Sequence, residues 1–145
     1  MKFFFYRDSR VIPDVPRIIT IGAFDGIHLG HQKLLHKVNA LQAKNPDAKR
    51  TLVTFEPLPH EFFLKENSPA RIMSLKEKLA YLKKSQLVDE VIILPFTERL
   101  REESPDHFID HFLVDQLNIK GIVIGADFRF GAKAAGSFED LSAAG

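Results

Sequence analysis

Apolar residues along the chain follow two alternating patterns. Continuous apolar runs, rich in β-branched residues or phenylalanine, predict strands at 2–6, 17–22, 51–55, 91–94 and 121–125. Between these runs apolar residues recur every three or four positions, which predicts helices at about 31–43, after Ser74 and after Ser104. Strands that alternate with helices predict an α/β fold, a doubly wound parallel sheet with helices on both faces.

Two segments fit this alternation less directly. Phe3–Tyr6 suits either a first strand or an extension that docks onto the core. Glu56–Arg71 contains three prolines, which predicts a long loop without a regular element. The apolar side chains at 62–64 within it either wall a pocket for a flat aromatic ligand or cover the edge of the core.

The strongest candidate for chemistry is the sequence Gly-Ala-Phe-Asp-Gly-Ile-His-Leu-Gly-His at 22–31. Its glycines allow a sharp turn and a close approach to a ligand. His28 and His31 lie where a helix begins, and there free N–H groups and the positive end of the helix dipole favour phosphate. A lone histidine beside a turn is usually a surface residue, but two with this spacing favour a nucleotide site. The stretch resembles the HIGH-type signature of the nucleotidyltransferase superfamily.

Composition narrows the possible functions. The chain has 145 residues, which suits one domain with a real core, and a net charge of +1, which does not indicate a nucleic-acid partner. It contains no cysteine, so disulfides and Cys-ligated zinc are excluded, and a reducing, cytoplasmic location is expected. No apolar run approaches the length that spans a membrane, so we expect no membrane partner.

A second histidine pair, His107 and His111, has the spacing of metal ligands on a helix. The sequence offers no third ligand nearby, so a solvated helix face is the favoured interpretation and no metal ligand is predicted.

Three candidate segments leave strands at the same edge of the predicted sheet. Parallel sheets of this type bind ligands at the carboxyl ends of their strands. The histidine turn and the proline-rich segment both begin there, and so does Gly125–Gly131. That last segment is either a strand end or a binding loop, and the ligand edge favours the loop. In such a loop Asp127 would accept a hydrogen bond from a ribose or an amine, and Arg129 would face phosphate.

Four motifs in one order resemble the prokaryotic FAD synthetases, which are bifunctional riboflavin kinase/FMN adenylyltransferases. They are the 22–31 stretch, Thr-Phe-Glu-Pro-Leu-Pro at 54–59, Ser-Pro-Ala-Arg at 68–71 and Gly-Ala-Asp-Phe-Arg-Phe-Gly at 125–131. The resemblance covers essentially the whole chain and concerns the N-terminal adenylyltransferase domain of that family. The first motif specifies only the superfamily, whereas the others specify the family.

The resemblance implies that AMP passes from ATP to FMN, giving FAD and pyrophosphate, with Mg²⁺ held largely by phosphate oxygens. It implies catalytic roles for His28 and His31. It implies ATP-binding roles for Gly22, Ala23, Phe24, Asp25, Gly30, Asp127 and Arg129. It implies flavin-binding roles for Pro57, Pro59, Phe63 and Phe130.

The sequence departs from the family pattern in two ways. Leu58 stands where the family usually has a histidine, and an apolar side chain there cannot donate to phosphate. The family also continues with a Ser-Ser-Thr segment ending in arginine and then a riboflavin kinase domain. We therefore expect residues 1–145 to be a truncated adenylyltransferase domain, weak or inactive alone, from a parent that also phosphorylates riboflavin.

Two other functions remain open from the residues. One is a related adenylyl- or cytidylyltransferase that acts on pantetheine phosphate, a nicotinamide nucleotide or a polyol phosphate. The proline-rich segment and the 125–131 motif argue against it. The other is a nucleotide-binding module without catalysis, which the sequence that follows Gly145 in the parent gene would distinguish.

Overall fold

The computed structural model describes residues 1–6, 12–68 and 70–125. Within them five strands form one sheet in the order β1-β4-β3-β2-β5, and every neighbouring pair is parallel. The strands are β1 (Lys2–Phe5), β2 (Arg17–Ile21), β3 (Lys49–Glu56), β4 (Glu90–Pro95) and β5 (Ile119–Val123). Helices cross the sheet between β2 and β3, between β3 and β4, and between β4 and β5, which explains why these strands can run parallel.

Five α-helices lie between the strands in the described part of the chain. They are α1 (Leu29–Ala43), α2 (Pro59–Leu64), α3 (Leu75–Ser85), α4 (Glu98–Glu102) and α5 (Pro105–His107). A short 3₁₀ turn, Lys65–Asn67, follows α2, and α5 continues directly as a π-helical stretch, Phe108–Gln116. We call the continuous element the 105–116 helix. Every helix in the described part of the chain is too short or too polar to cross a membrane.

Alternate residues of the strands bury two separate cores. On one face Ile19, Val53 and Ile92 pack with Phe108 and Phe112 of the 105–116 helix. On the opposite face strand residues such as Leu52 and Val91 pack with Leu35 of α1 and Leu82 of α3. Helices therefore cover both faces, and the predicted doubly wound α/β fold is confirmed.

The chain reverses its direction across the sheet beside β2. From β2 it moves through β3 to β4, and it then returns to place β5 on the other side of β2. A ligand crevice opens at such a reversal, outside the carboxyl ends of the strands. The histidine turn leaves β2 at this point.

The prediction of a loop without regular structure over 56–71 is wrong. The segment contains α2 and the 3₁₀ turn. Its prolines flank the helix instead of interrupting it, because Pro59 is the first helical residue, where a missing N–H is tolerated. The helix α4 was also not predicted. The ends of the predicted strands and of α1 differ from the structure by one or two residues.

The predicted helix starts at Ser74 and Ser104 are confirmed. The Ser74 hydroxyl accepts from the N–H of Glu77 at 3.1 Å, and the Glu77 carboxylate accepts from the N–H of Ser74 at 3.4 Å. Ser104 likewise accepts from the N–H of His107 at 3.2 Å. These side chains satisfy N–H groups that have no partner within the helix.

Candidate active site

The turn between β2 and α1 combines left-handed backbone with buried side chains. Phe24, Gly26 and Ile27 have φ of 51°, 79° and 42°. Phe24 and Ile27 are buried beside Leu35 in the core under α1 and α3. A Cβ on Gly26 would also lie 3.0 Å from the Ile72 side chain, so a larger residue there would require Ile72 to move. Left-handed conformations are costly for non-glycine residues and concentrate at functional sites.

Two histidines stand together at the beginning of α1. His28 caps the helix, and its Nδ1 accepts from the N–H of Gly30 at 3.1 Å. Its ring stacks on that of His31 with 3.7 Å between centroids, and His31 also stacks on Phe24 at 4.5 Å. The first turn of α1 therefore presents two imidazoles beside its backbone N–H groups, an arrangement suited to an anionic ligand.

The surroundings of His31 favour its neutral form. Burial lowers its pKa, and the nearby His28 and Lys78 lower it further, while Asp25 opposes them. Its Nδ1 is buried without a hydrogen-bond partner among the described residues. A buried polar atom without a partner is unfavourable and is found more often at functional sites than elsewhere.

The carbonyl of Ala23 accepts two hydrogen bonds from beneath the turn. The Lys78 ammonium on α3 donates to it at 2.7 Å, and the Thr54 hydroxyl on β3 donates at 3.1 Å. Lys78 is 1% exposed and Thr54 is completely buried. Sequence reasoning quoted Thr54 only as part of a motif, and it missed Lys78. Lys78 does lie at helical spacing with Leu75 and Leu82, which could have indicated a buried position.

Asp25 joins the turn to the segment that precedes α3. Its carboxylate accepts from the backbone N–H groups of Ile72, at 3.0 Å, and Met73, at 3.0 Å. This predicted ATP-binding residue therefore has its carboxylate in contact with protein backbone.

An ion cluster fixes the segment that follows β3. Arg71 donates to both oxygens of Glu56 at 2.9 Å and also pairs with Glu61, whose carboxylate accepts from the N–H of Leu58 at 2.8 Å. These contacts with Glu61 and Glu56 raise the pKa of Arg71. Leu58, the residue that stands where the family usually has a histidine, is completely buried and belongs to the core.

The predicted site residues fall into three groups. Gly22, Ala23, Phe24, Asp25, His28, Gly30 and His31 all lie on the turn and the first turn of α1. Pro57 follows the neighbouring strand β3, and Pro59 and Phe63 belong to α2, where the structure describes their backbone. Asp127, Arg129 and Phe130 lie outside the described residues.

A separate cavity of about 370 Å³ lies on the other side of β3, at the carboxyl end of β4. Its lining includes Tyr6, Arg99, Glu103, His107 and His111. The rings of His107 and His111 stack 5.0 Å apart, and His107 pairs with Glu103. Both histidines are exposed, which confirms the predicted solvated helix face.

Comparisons with known proteins point to one family. The model of the FAD synthetase family matches residues 13–145. The chain is 42% identical over 126 residues to a bifunctional riboflavin kinase/FMN adenylyltransferase of Haemophilus influenzae, covering 87% of this chain and 40% of that protein. The protein of the same name from Escherichia coli K12 is 38% identical over 128 residues, covering 88% and 40%. The chain thus spans about two fifths of the length of these relatives.

One solved structure extends the comparison to the fold. It is that of a protein named as a macrolide-efflux protein, from Streptococcus pneumoniae, and it matches with a TM-score of 0.84 at 25% identity. The match covers 99% of this chain and 47% of that one.

Proposed function

The chain belongs to the FAD synthetase family, and on that premise we propose that it is the FMN adenylyltransferase part of a larger enzyme. The reaction transfers AMP from ATP to FMN and releases pyrophosphate. The observation that carries the proposal is the stacked pair of His28 and His31 at the start of α1, beside the point where the strand order reverses.

The geometry supports a mechanism of positioning and charge stabilisation. A phosphate oxygen of FMN attacks the α-phosphorus of ATP, and the bond from that phosphorus to the bridging oxygen of pyrophosphate breaks. FMN phosphate is already ionised at neutral pH, so the step needs no general base. His28 and His31, together with the N–H groups of α1, would hold the triphosphate and the charge that grows at the α-phosphorus.

The remaining predicted contacts are part of the same proposal. Gly22, Ala23, Phe24, Asp25, Gly30, Asp127 and Arg129 are proposed to line the nucleotide. Pro57, Pro59, Phe63 and Phe130 are proposed to surround the flavin. The support is their placement in the sequence motifs and, for the described positions, in the segments that follow the neighbouring strands β2 and β3.

Mg²⁺ is proposed to enter with ATP. Among the described residues no three side chains of His, Asp or Glu converge as metal ligands, and Asp25 already accepts from backbone N–H groups. These residues do not form a protein cage for the ion, so we assign it to the phosphate oxygens and derive no step from it.

The larger enzyme is proposed to be cytoplasmic and to carry a riboflavin kinase domain. The support for that domain is the bifunctional name of the relatives. The macrolide efflux for which the Streptococcus pneumoniae protein is named is not extended to this chain, because the bacterial relatives carry names for flavin nucleotide chemistry.

The test compares acceptor substrates one at a time in the complete product of the gene that contains this chain. The protein receives labelled ATP, Mg²⁺ and one acceptor: FMN, pantetheine phosphate, nicotinamide mononucleotide or a polyol phosphate. We expect labelled FAD with FMN and negligible product with the others. Transfer to another acceptor, with none to FMN, would replace this function with the related adenylyltransferase. Nucleotide binding without transfer to any acceptor would leave a binding module.

A further inference from the structure

Lys78 is a buried cation beside the candidate site that the proposed mechanism does not use. Its side chain rises from α3 and is 1% exposed, so it does not reach a ligand in the crevice. Its ammonium donates to the Ala23 carbonyl at 2.7 Å. Burying an ammonium is expensive unless it gains strong interactions, so this contact calls for an explanation.

The charges around Lys78 are already engaged with other groups. No carboxylate lies within ion-pair distance of Lys78 in the part of the chain that the structure describes. Glu56 and Glu61 pair with Arg71, and Asp25 accepts from backbone N–H groups. Burial lowers the pKa of Lys78, and Arg71 lowers it further, while the three carboxylates oppose them. Lys78 is therefore not one half of a stabilising ion pair.

The contact acts on the turn that carries the histidines. Ala23 is the second residue after β2, and the left-handed residues Phe24 and Ile27 follow it. Phe24 stacks directly on His31, and His31 stacks on His28. The Ala23 carbonyl is thus joined to the two imidazoles through the adjoining residue Phe24.

We propose that Lys78 is a positioning residue, which holds the Ala23 carbonyl and thereby sets the placement of His28 and His31 for the transfer step. The proposal rests on the proposed adenylyl transfer and adds a residue that does not touch substrate. Thr54 donates to the same carbonyl from β3 and has a smaller share in this role. The lysine charge also favours a neutral His31: burial lowers the pKa of that imidazole most, His28 and Lys78 lower it further, and Asp25 raises it.

The test compares Lys78→Met with wild type in the complete gene product. Methionine fills similar volume but removes the donor and the charge. We expect kcat for FAD formation to fall about 10- to 100-fold, the scale of a small misplacement of catalytic groups, with a KM for ATP within about threefold of wild type. By NMR of ¹³C-labelled histidine, we expect the pKa of His31 to move upward. Lys78→Arg, which keeps a charged donor, should recover part of kcat and keep the lower pKa.

Lys83→Met is the matched control, because Lys83 is an exposed lysine on the same helix. It should change neither kcat nor the His31 titration. If Lys78→Met does not fold, Thr54→Val removes the second donor and should lower kcat with little change in KM. A lower Tm with unchanged kcat and an unchanged His31 titration in the folded variants would overturn the positioning role. If wild type forms no FAD, the proposed function fails, and the His31 titration alone still decides whether Lys78 acts on the histidines.

Discussion

Two buried cationic side chains, Arg17 and Lys78, lie near opposite ends of the sheet strands, and their partners differ. Arg17, at the start of β2, pairs with Glu90 and donates to the carbonyls of Leu117, at 3.0 Å, and Pro13, at 2.9 Å. Glu90 also accepts from the Thr51 hydroxyl at 2.8 Å. Lys78, under the carboxyl edge, donates to the Ala23 carbonyl, and no carboxylate pairs with it among the described residues.

The difference contrasts the amino ends of the strands, where the buried charges are paired, with the carboxyl ends, where they are not. We call Arg17, Glu90 and Thr51 the basal cluster; its charges are matched, and it ties three strands and two connections together. At the carboxyl edge the left-handed turn, the buried Nδ1 of His31 and the unmatched ammonium are each unfavourable alone. Unfavourable groups gathered in one place indicate a site built for a ligand more than for stability.

The largest effect, a loss in the free energy of unfolding, is expected from Glu90→Ala in the basal cluster. The change leaves the Arg17 guanidinium buried without its carboxylate, which costs about 3–5 kcal/mol of the free energy of unfolding. Urea unfolding followed by circular dichroism measures it. Glu102→Ala, at an exposed position, is the control and should change the free energy of unfolding by less than about 0.5 kcal/mol. A loss below about 1 kcal/mol for Glu90→Ala would remove the contrast between the two edges.

The next largest effect is expected from His28→Ala, and it is an effect on kcat. The free energy of unfolding should change far less than in Glu90→Ala. The loss of one donor to the developing charge lowers kcat about 100- to 1000-fold. Steady-state kinetics of FAD formation by the complete gene product measures it. The helix cap is also lost, which lowers the free energy of unfolding by about 1 kcal/mol.

Two variants separate the cap from the imidazole. His28→Asn can still cap α1, so it should recover stability but not rate. His36→Ala removes an exposed histidine from the same helix and should leave both unchanged. An unchanged kcat with a raised KM for ATP in His28→Ala would reduce the role of His28 to binding.

The smallest effect on the free energy of unfolding is expected from Asp89→Asn, near the basal cluster. Burial alone would raise the pKa of Asp89, but hydrogen bonds from the Arg50 side chain and N–H, with the Arg50 charge, hold it below the ordinary value of 3.8. This lowered pKa adds stability that is complete above pH 3.8 and is lost as the pH falls through the folded-state pKa. Because the pair is partly exposed, the loss at pH 7 should be below about 1 kcal/mol.

The pH dependence makes this prediction specific. Thermal unfolding from pH 7 to pH 3 should show the wild type and Asp89→Asn converging as the carboxylate is protonated. The exposed Asp110 supplies the control, since Asp110→Asn should follow the wild type throughout. A difference that persists undiminished to low pH would assign the loss to something other than the charge of Asp89.

Local patterns in the sequence account for most of the fold. Runs of β-branched residues marked β2 and β4, and the capping box at Ser74 marked the start of α3, because each depends on neighbours in the chain. The same patterns failed at α2, where three prolines indicated a loop. Their effect depends on position within the element, and Pro59 occupies the one helical turn that accepts it.

The sequence by itself determined that two histidines stand at the start of a helix after a buried strand, since spacing and glycines suffice for that. Only the tertiary structure decided what supports them. The contact between Lys78 and Ala23 joins residues 55 positions apart, and Arg71 reaches back 15 positions to Glu56. Such pairs depend on which strand ends become neighbours and on where a helix crosses the sheet. No local pattern encodes these, because they follow from the packing of the whole domain.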